Sequence, residues 1–318
     1  MLRLLVTRRQ TDAVEAALKE AFATTIRDDE APLTSTEAAQ AMRDFDLILP
    51  TLGDKFDVEA FGGGDLRCKL LANFGVGYNH IDAKAAEAAG VMVSNTPGVV
   101  TDATADIALT LLLMTARRAP EGEALVRSGH WTGWQPTQLL GSHVTGAVVG
   151  IVGMGRIGEA IGKRCHYGFD MDVRFFNRSP KSDVGFPATQ VADLDDLMAQ
   201  VDFVVIAVPG GAETRGMIGA KQISRMKPSA HLINIARGDV VDEGALIAAL
   251  QNRQIAGAGL DVYAAEPVVP VALRELPNVA LLPHLGTAAE SVRTNMGMRA
   301  LANLKAAADG RPLPDRVA

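Results

Sequence analysis

Cysteine and long apolar runs are both scarce in this sequence of 318 residues. The two cysteines, Cys68 and Cys165, are too few for a disulfide framework, and we expect both to be buried thiols. No apolar stretch approaches the roughly 20 residues that a membrane-spanning helix needs. The first ten residues also lack the apolar region of a signal peptide. We therefore expect a protein of the reducing cytoplasm that makes no use of a membrane.

Positive charge is also in short supply, because 31 Lys and Arg stand against 37 Asp and Glu, giving a net charge of −6. This balance argues against nucleic acid or an anionic membrane as a partner. No His, Cys, Asp or Glu residues cluster at metal-ligand spacings, and we expect no metal. What is present, 48% hydrophobic and 21% charged residues, is typical of a globular enzyme, and the length favours two domains.

Short apolar runs alternate with helical patterns along the chain, which predicts an α/β fold with parallel sheets. The first part of the chain has four predicted strands, at residues 3–6, 47–52, 69–74 and 91–94. Residues 101–126 predict one long apolar helix. Six more strands are expected between residues 148 and 282, which fits a six-stranded doubly wound sheet. A last helix, residues 288–307, is expected to return to the first domain.

A glycine motif follows the first of these later strands, in the segment AVVGIVGMGRIG at residues 147–158. Gly153, Gly155 and Gly158 have the G-x-G-x-x-G spacing and open a helical pattern that runs through Tyr167. The first glycine permits a tight turn, the second lets the backbone approach a pyrophosphate, and the third allows close packing of helix on strand. Glycine turns also occur for purely structural reasons, but this context predicts a dinucleotide site.

The residues after the next predicted strand indicate which dinucleotide is bound. An acidic residue about 20 positions beyond the glycines binds the ribose hydroxyls of NAD, and Asn177 stands there instead. Arg178, Ser179 and Lys181 follow, and a guanidinium binds phosphate in a bidentate manner. We predict that NADP(H) is preferred, with NAD(H) as the alternative cofactor. The other interpretation is that Arg178 and Lys181 are solvated loop charges.

Three polar side chains follow the ends of later predicted strands. Arg237, Glu266 and His284 should therefore meet at one edge of a parallel sheet. Each alone has a structural interpretation as a surface or loop residue. Together they form a site in which Arg237 holds an anionic substrate and polarises its carbonyl, while His284, supported by Glu266, donates a proton.

Five segments in this order over nearly the whole chain carry a family resemblance. They are NFGVGY at residues 73–78, GMGRIG at 153–158, INIARG at 233–238, GLDVYAAEP at 259–267 and Pro283-His284. The chain resembles the D-isomer-specific 2-hydroxyacid dehydrogenases, and most closely their glyoxylate/hydroxypyruvate reductase branch. The resemblance implies that Arg237, Glu266 and His284 are the catalytic residues.

The same resemblance implies two Rossmann-like or flavodoxin-like parallel-sheet domains with a cleft between them. We expect a discontinuous substrate-binding domain, residues 1–98 with 286–318. Residues 99–285 are then the NAD(P)-binding Rossmann domain, with a dimerisation helix and arm at about 101–145. A homodimer is implied as well.

Further contacts follow from the resemblance alone. It implies that the backbone amides of Val76 and Gly77 hold the substrate carboxylate. Trp134 either reaches toward the substrate pocket of the partner subunit or packs as an interface aromatic. Seven further residues are implied as cofactor contacts: Thr104, Arg156, Ile157, Pro209, Thr214, Ile235 and Asp261. The chain departs from the family at Gly210 and Gly211, which we expect to loosen that cofactor loop or open it to a 2′-phosphate.

The expected activity is reduction of a small 2-keto acid, glyoxylate or hydroxypyruvate, to glycolate or D-glycerate with hydride from nicotinamide C4. A reductase for a larger 2-keto acid, such as 2-ketogluconate or a phenylpyruvate-type substrate, is the alternative within this chemistry. An alternative of another class is a corepressor-like protein that senses NAD(P). The presence of Arg237, Glu266 and His284 argues against that third interpretation.

Overall fold

The computed structural model describes residues 1–318 and separates them into two units. The terminal unit combines Met1–Val100 with Thr287–Ala318, and the central unit consists of Thr101–Gly286. Each unit has its own parallel sheet, so the expectation of two parallel-sheet α/β domains is confirmed. None of the helices combines the length and the apolar character needed to span a bilayer.

The terminal unit alternates five strands with four helices before the chain leaves it. In chain order these are β1 (Arg3–Val6), α1 (Asp12–Ala21), β2 (Ala23–Ile26), α2 (Ser35–Asp44), β3 (Leu47–Leu49), α3 (Val58–Phe61), β4 (Leu70–Ala72), α4 (Ala83–Ala88) and β5 (Met92–Ser94). The strands lie in the order β2-β1-β3-β4-β5 and all pairs are parallel. This is the flavodoxin-like order of a doubly wound sheet.

Local sequence explains these elements. The three residues of β3 and of β4 are all buried, as expected for strands covered on both faces. A capping box, in which Thr34 and Glu37 each bind the backbone amide of the other, fixes the start of α2. β2 was not predicted because its residues, ATTI, are only partly buried and make no apolar run; it lies at the edge of the sheet.

The central unit contains seven strands and seven α-helices. They are α5 (Thr101–Ala116), α6 (Ala119–Arg127), β6 (Val148–Val152), α7 (Arg156–Phe169), β7 (Asp172–Phe176), β8 (Thr189–Gln190), α8 (Leu194–Gln200), β9 (Phe203–Ile206), α9 (Ala220–Arg225), β10 (His231–Asn234), α10 (Glu243–Gln251), β11 (Gly257–Leu260), α11 (Val271–Arg274) and β12 (Val279–Leu281). A short 3-10 helix, Gly238–Val240, follows β10. After β12 the chain returns to the terminal unit as α12 (Glu290–Ala308).

All strands of the central sheet are parallel and lie in the order β12-β11-β10-β9-β6-β7-β8. Side chains alternate between its faces, so that Val149 and Ile151 join α5 and α7 in one core cluster. Val204 and Ile206 join α8, α9 and α10 in a second cluster. Because β6 is central, its carboxyl end is where the strand order reverses, the usual ligand position in such sheets.

Two predictions about the central unit were wrong. The single helix expected at residues 101–126 is two helices, α5 and α6, because Arg118 has a left-handed backbone with φ of 52°. Pro120 lies in the first turn of α6, where its fixed φ favours a new start and its missing N–H costs nothing. The sheet also has a seventh strand, β8, whose two polar residues make no apolar run.

Candidate active site

The glycine loop connects β6 to α7 at the carboxyl edge of the central sheet. Gly153 has a φ of 99°, and a Cβ atom there would lie 2.9 Å from the carbonyl group of Ala207. A Cβ atom on Gly158 would overlap the carbonyl oxygen of Gly153. At Gly155, in contrast, an added Cβ would meet no atom within 4 Å. The first and third glycines are therefore required by packing, and the second faces the open space that a diphosphate needs.

The N-terminus of α7 adds a positive potential to this loop. Its N-cap residue, Gly155, has no side chain to accept the first amide hydrogens of the helix. Arg156, the first residue of α7, is exposed and pairs with no acidic side chain, while Ile157 is half-buried. An anion bound here would meet backbone amides and a guanidinium together, so the loop fits the diphosphate of a dinucleotide.

Asn177, after β7, is tied to the glycine loop. Its side-chain oxygen accepts a hydrogen bond of 3.2 Å from the Met154 amide, and its nitrogen donates to the Ser179 carbonyl at 2.9 Å. The two cations that follow are both paired. Lys181 Nζ lies 2.6 Å from a Glu159 oxygen, and the exposed Arg178 guanidinium donates to Glu213.

Other predicted cofactor residues lie at the same edge or beside it. The Thr214 hydroxyl donates to the Pro209 carbonyl at 2.7 Å and so closes the loop that follows β9. Ile235 is buried directly after β10. Thr104 is buried in α5, and its hydroxyl donates to the Gly286 carbonyl at 3.3 Å. Their contact with a cofactor stays a prediction.

The structure brings Glu266 and His284 together. Nδ1 of His284 lies 2.9 Å from Oε2 of Glu266, whose other oxygen accepts a 3.0 Å hydrogen bond from the Tyr263 amide. Burial raises the pKa of the Glu266 carboxyl, but His284, the Tyr263 amide and Arg237 outweigh it and hold that pKa below its ordinary value of 4.5. Glu266 is therefore an anion at neutral pH and accepts a hydrogen bond from Nδ1 of His284.

Arg237 follows β10, the neighbour of β11, so it belongs to the same edge. Its guanidinium is half-buried and donates to its neighbour's carbonyl, Ala236, at 2.6 Å. Burial lowers the pKa of Arg237, although the charges of Glu266 and Asp239 oppose this effect. An arginine remains a cation at neutral pH even so. The site thus combines a cation for an anionic substrate with a carboxylate–imidazole pair.

Asp261 fixes the backbone at His284. Its two side-chain oxygens accept hydrogen bonds from the amides of Leu285, at 2.6 Å, and Gly286, at 2.8 Å, and its carbonyl accepts from His284 at 2.9 Å. These bonds hold His284 in a left-handed conformation with φ of 56°. The pKa of Asp261 is raised above its ordinary value because burial outweighs those hydrogen bonds and the charge of His284, which lower it. Asp261 was predicted as a cofactor contact, and here its side chain shapes the loop that carries His284.

Tyr263 and Gly238 were not predicted from the sequence. The buried hydroxyl of Tyr263 donates to the Leu282 carbonyl at 2.9 Å, which ties the segment of Glu266 to the segment of His284. Burial raises the pKa of this phenol to about 12, so the donor is kept at neutral pH. A Cβ atom on Gly238 would overlap the backbone of Tyr263, so only glycine allows the two loops to pack this closely. Both lie within segments that carry the family resemblance, but the sequence does not show which loops they connect, and so no role was assigned to them.

Val76 and Gly77 lie in the terminal unit, in the loop after β4. Asn73 donates 3.0 Å hydrogen bonds to the carbonyls of Gly75 and Gly77, and Asn95 donates to the carbonyl of Val76 at 2.9 Å. The amides of Val76 and Gly77 make no hydrogen bond within the chain. The hydrogen bonds to the carbonyls fix the backbone of this loop. The two amides without a partner are then a pair of donors suited to a carboxylate.

Trp134 lies on the surface of the central unit. Its side chain is 80% exposed and that of Trp131 is 51% exposed, and Val126 and Leu140 nearby are exposed too. α6 has no buried residue at all. Several large apolar side chains exposed within one segment are typical of a protein interface. Elsewhere, no group of three His, Cys, Asp or Glu side chains is arranged to hold a metal ion.

Known proteins share this organisation. Residues 109–286 match the sequence model described as "D-isomer specific 2-hydroxyacid dehydrogenase, NAD binding domain". A glyoxylate reductase of Thermococcus onnurineus is 41% identical over 320 residues, which cover 99% of this chain and 95% of that protein. A glycerate dehydrogenase of Hyphomicrobium methylovorum is 36% identical over 301 residues, covering 94% of this chain and 93% of that protein.

A solved structure extends this similarity to the whole fold. It is the NADPH-dependent glyoxylate/hydroxypyruvate reductase of Sinorhizobium meliloti in complex with NADP and malonate. Its TM-score is 0.89 and its identity 37%, and the match covers 100% of this chain and 97% of that one. With a matched NAD binding domain, the central unit is the part that binds a nicotinamide cofactor. The chain belongs to the D-isomer-specific 2-hydroxyacid dehydrogenase family, in its glyoxylate reductase branch.

Proposed function

We propose that this protein reduces glyoxylate, hydroxypyruvate or both to the D-2-hydroxy acid and prefers NADPH as the reductant. The observation that carries the proposal is the 2.9 Å contact between His284 and Glu266. These two residues follow β11 and β12, which lie beside β10, the strand that precedes Arg237. The glycine loop, at the end of β6, lies at the same edge of the sheet. An acid, an anion site and a dinucleotide loop on one edge are what 2-keto acid reduction requires.

The bound cofactor supplies a hydride to the carbonyl carbon of the keto acid. Because Nδ1 of His284 is engaged by Glu266, Nε2 is the ring nitrogen left to give a proton to the carbonyl oxygen. The carbonyl carbon then gains a hydride and its oxygen gains a proton. His284 is afterwards reprotonated from solvent. The Glu266 carboxylate orients the imidazole for this transfer through its contact with Nδ1.

Arg237 and the loop after β4 orient the substrate. The Arg237 cation binds the keto acid's carboxylate or carbonyl oxygen, where it stabilises negative charge that develops during hydride transfer. The amides of Val76 and Gly77, which have no partner within the chain, hold the carboxylate. In this assignment residues 1–98 with 286–318 form the substrate-binding domain, and residues 99–285 the cofactor-binding domain.

The preference for NADPH rests on the residues after β7. Asn177 stands in place of the acid that would repel a 2′-phosphate, and the exposed guanidinium of Arg178 provides a cation beside it. The similar reductase from Sinorhizobium meliloti, described as NADPH-dependent and bound to NADP, supports the same preference here.

A substrate panel tests the proposal. Purified protein is mixed with NADPH and glyoxylate, hydroxypyruvate, pyruvate or 2-ketogluconate, and the loss of NADPH absorbance is followed. We expect the highest kcat/KM with glyoxylate or hydroxypyruvate, and a lower value when NADH replaces NADPH. Highest kcat/KM with 2-ketogluconate would favour the larger-substrate alternative, and no turnover of any keto acid with either cofactor would contradict the proposal.

A further inference from the structure

An ion pair connects the two loops on either side of the glycine loop. Arg178 follows β7, and Glu213 lies in the loop that follows β9. Because β6 lies between β7 and β9 in the sheet, the glycine loop at its end has one of these loops on each side. The Arg178 guanidinium donates from Nη1 to Oε2 of Glu213, and so joins the two loops.

This ion pair is exposed and belongs to no larger network of ion pairs. Neither Arg178 nor Glu213 forms another ion pair, and the nearby cation Lys181 is already held by Glu159 at 2.6 Å. The side chains are 86% and 80% exposed, and a pair so exposed contributes little to folding. The pair matters instead for ligand binding, because Arg178, the cation proposed to bind a 2′-phosphate, already binds the carboxylate of Glu213.

We propose that Glu213 is a specificity-determining residue that competes with the 2′-phosphate of NADPH for Arg178. This inference rests on the proposed function, in which Arg178 binds that phosphate. A 2′-phosphate takes the guanidinium by displacing Glu213, and the freed carboxylate then repels the phosphate. NADH has no such group and leaves the ion pair closed. Glu213 therefore weakens the binding of NADPH and sets the preference for NADPH below the value that Arg178 alone would give.

The test is equilibrium binding to the Glu213→Gln variant, measured by calorimetry without a keto acid. We expect Kd for NADPH and for adenosine 2′,5′-bisphosphate to fall by about two- to fivefold, the range of an exposed ion pair. Kd for NADH and for 5′-AMP should change by less than about twofold, and added salt should shrink the gain. The matched control is Glu275→Gln, which removes an exposed carboxylate before β12, at the opposite edge of the sheet.

A second pair of variants separates this inference from the proposed function. In an Arg178→Gln background, adding Glu213→Gln should tighten the binding of adenosine 2′,5′-bisphosphate by less than it does in the parent protein, because only the repulsion by the carboxylate is then left to relieve. Unchanged binding of 2′-phosphate ligands by Glu213→Gln, together with weaker binding by Arg178→Gln, overturns the competition alone. An equal gain for ligands with and without the phosphate overturns it too. If Arg178→Gln binds all four ligands as the parent protein does, Arg178 does not bind the 2′-phosphate, and the competition fails together with the proposed basis of the NADPH preference.

Discussion

At the scale of single residues, the proposed chemistry depends on charges held in fixed positions. Glu266 has one oxygen on His284 and the other on the Tyr263 amide, so its carboxylate has little freedom to move. His284 adopts a left-handed backbone that a β-carbon disfavours, and three hydrogen bonds to Asp261 stabilise this conformation. The position of the imidazole is therefore determined from both the side chain and the backbone.

The His284→Asn substitution tests the role of the imidazole. Asparagine tolerates the left-handed backbone better than alanine does, so the loop should stay folded while the proton donor is lost. We expect kcat for glyoxylate to fall by roughly two to four orders of magnitude, the usual contribution of a general acid. Kd for NADPH, measured by calorimetry, should change by less than about twofold.

The control for this variant is His143→Asn, at an exposed histidine of the central unit. It should keep the kcat of the parent protein. Full turnover by His284→Asn would show that the proton comes from another group.

At the scale of elements, burial explains which parts of the fold the sequence predicts. β9 and β10 consist wholly of buried residues, and the sequence predicted both of them as strands. β2 and β8 are partly exposed and short, so hydrogen bonding to a neighbouring strand makes them strands, and no local pattern marks them. The break between α5 and α6 lies at Arg118, whose left-handed backbone is uncommon for a residue other than glycine and carries no sequence signal.

The same reasoning applies to the candidate site. Arg237, Glu266 and His284 were predicted because they follow recognisable strands, and strand ends of a parallel sheet share an edge. Tyr263 contributes a hydroxyl that binds the Leu282 carbonyl, and Gly238 contributes the lack of a side chain where two loops meet. Both effects depend on how the loops pack, which the sequence does not show. The ion pair between Arg178 and Glu213 could not be predicted either, because the two residues are far apart in the sequence.

Tyr263→Phe tests whether the hydrogen bond between the segments after β11 and β12 affects catalysis. The substitution removes the hydrogen bond to Leu282 and leaves that carbonyl without its donor, at a cost of about 1 kcal/mol in the free energy of unfolding. We expect kcat to fall several-fold with little change in KM, and the pH profile of kcat to shift, because the segment of His284 loses a restraint toward Glu266.

Tyr167→Phe is the matched control, since it removes a phenol hydroxyl from an exposed site on α7. It should leave both stability and the pH profile unchanged. A Tyr263→Phe variant that is less stable but has the parent kcat and pH profile would limit Tyr263 to a structural role.

At the scale of the whole molecule, the two units carry residues with different proposed roles. The glycine loop and the three proposed catalytic side chains all belong to the central unit, and the amides of Val76 and Gly77 belong to the terminal unit. The central unit also carries four large apolar side chains that are each more than half exposed, Val126, Trp131, Trp134 and Leu140. A second copy of the chain is the partner that we propose for this surface.

This proposed homodimer predicts the behaviour of two variants. Trp131→Ala with Trp134→Ala removes the largest apolar side chains of the surface. In analytical ultracentrifugation at micromolar concentration, we expect the parent protein to be a dimer and this double variant to be a monomer. Val58→Ala, at an exposed apolar residue of the terminal unit, should leave the dimer intact. A monomeric parent protein would contradict the proposal.

Trp134→Ala alone distinguishes two roles for that side chain. If Trp134 contributes to the substrate pocket of the partner subunit, KM for hydroxypyruvate should rise several-fold while the protein remains a dimer. If it only packs in the interface, dimer dissociation and loss of activity should follow the same dependence on protein concentration. Because Trp134 is 80% exposed in the single chain, its truncation costs the monomer almost no buried area, so either effect reports on the assembly.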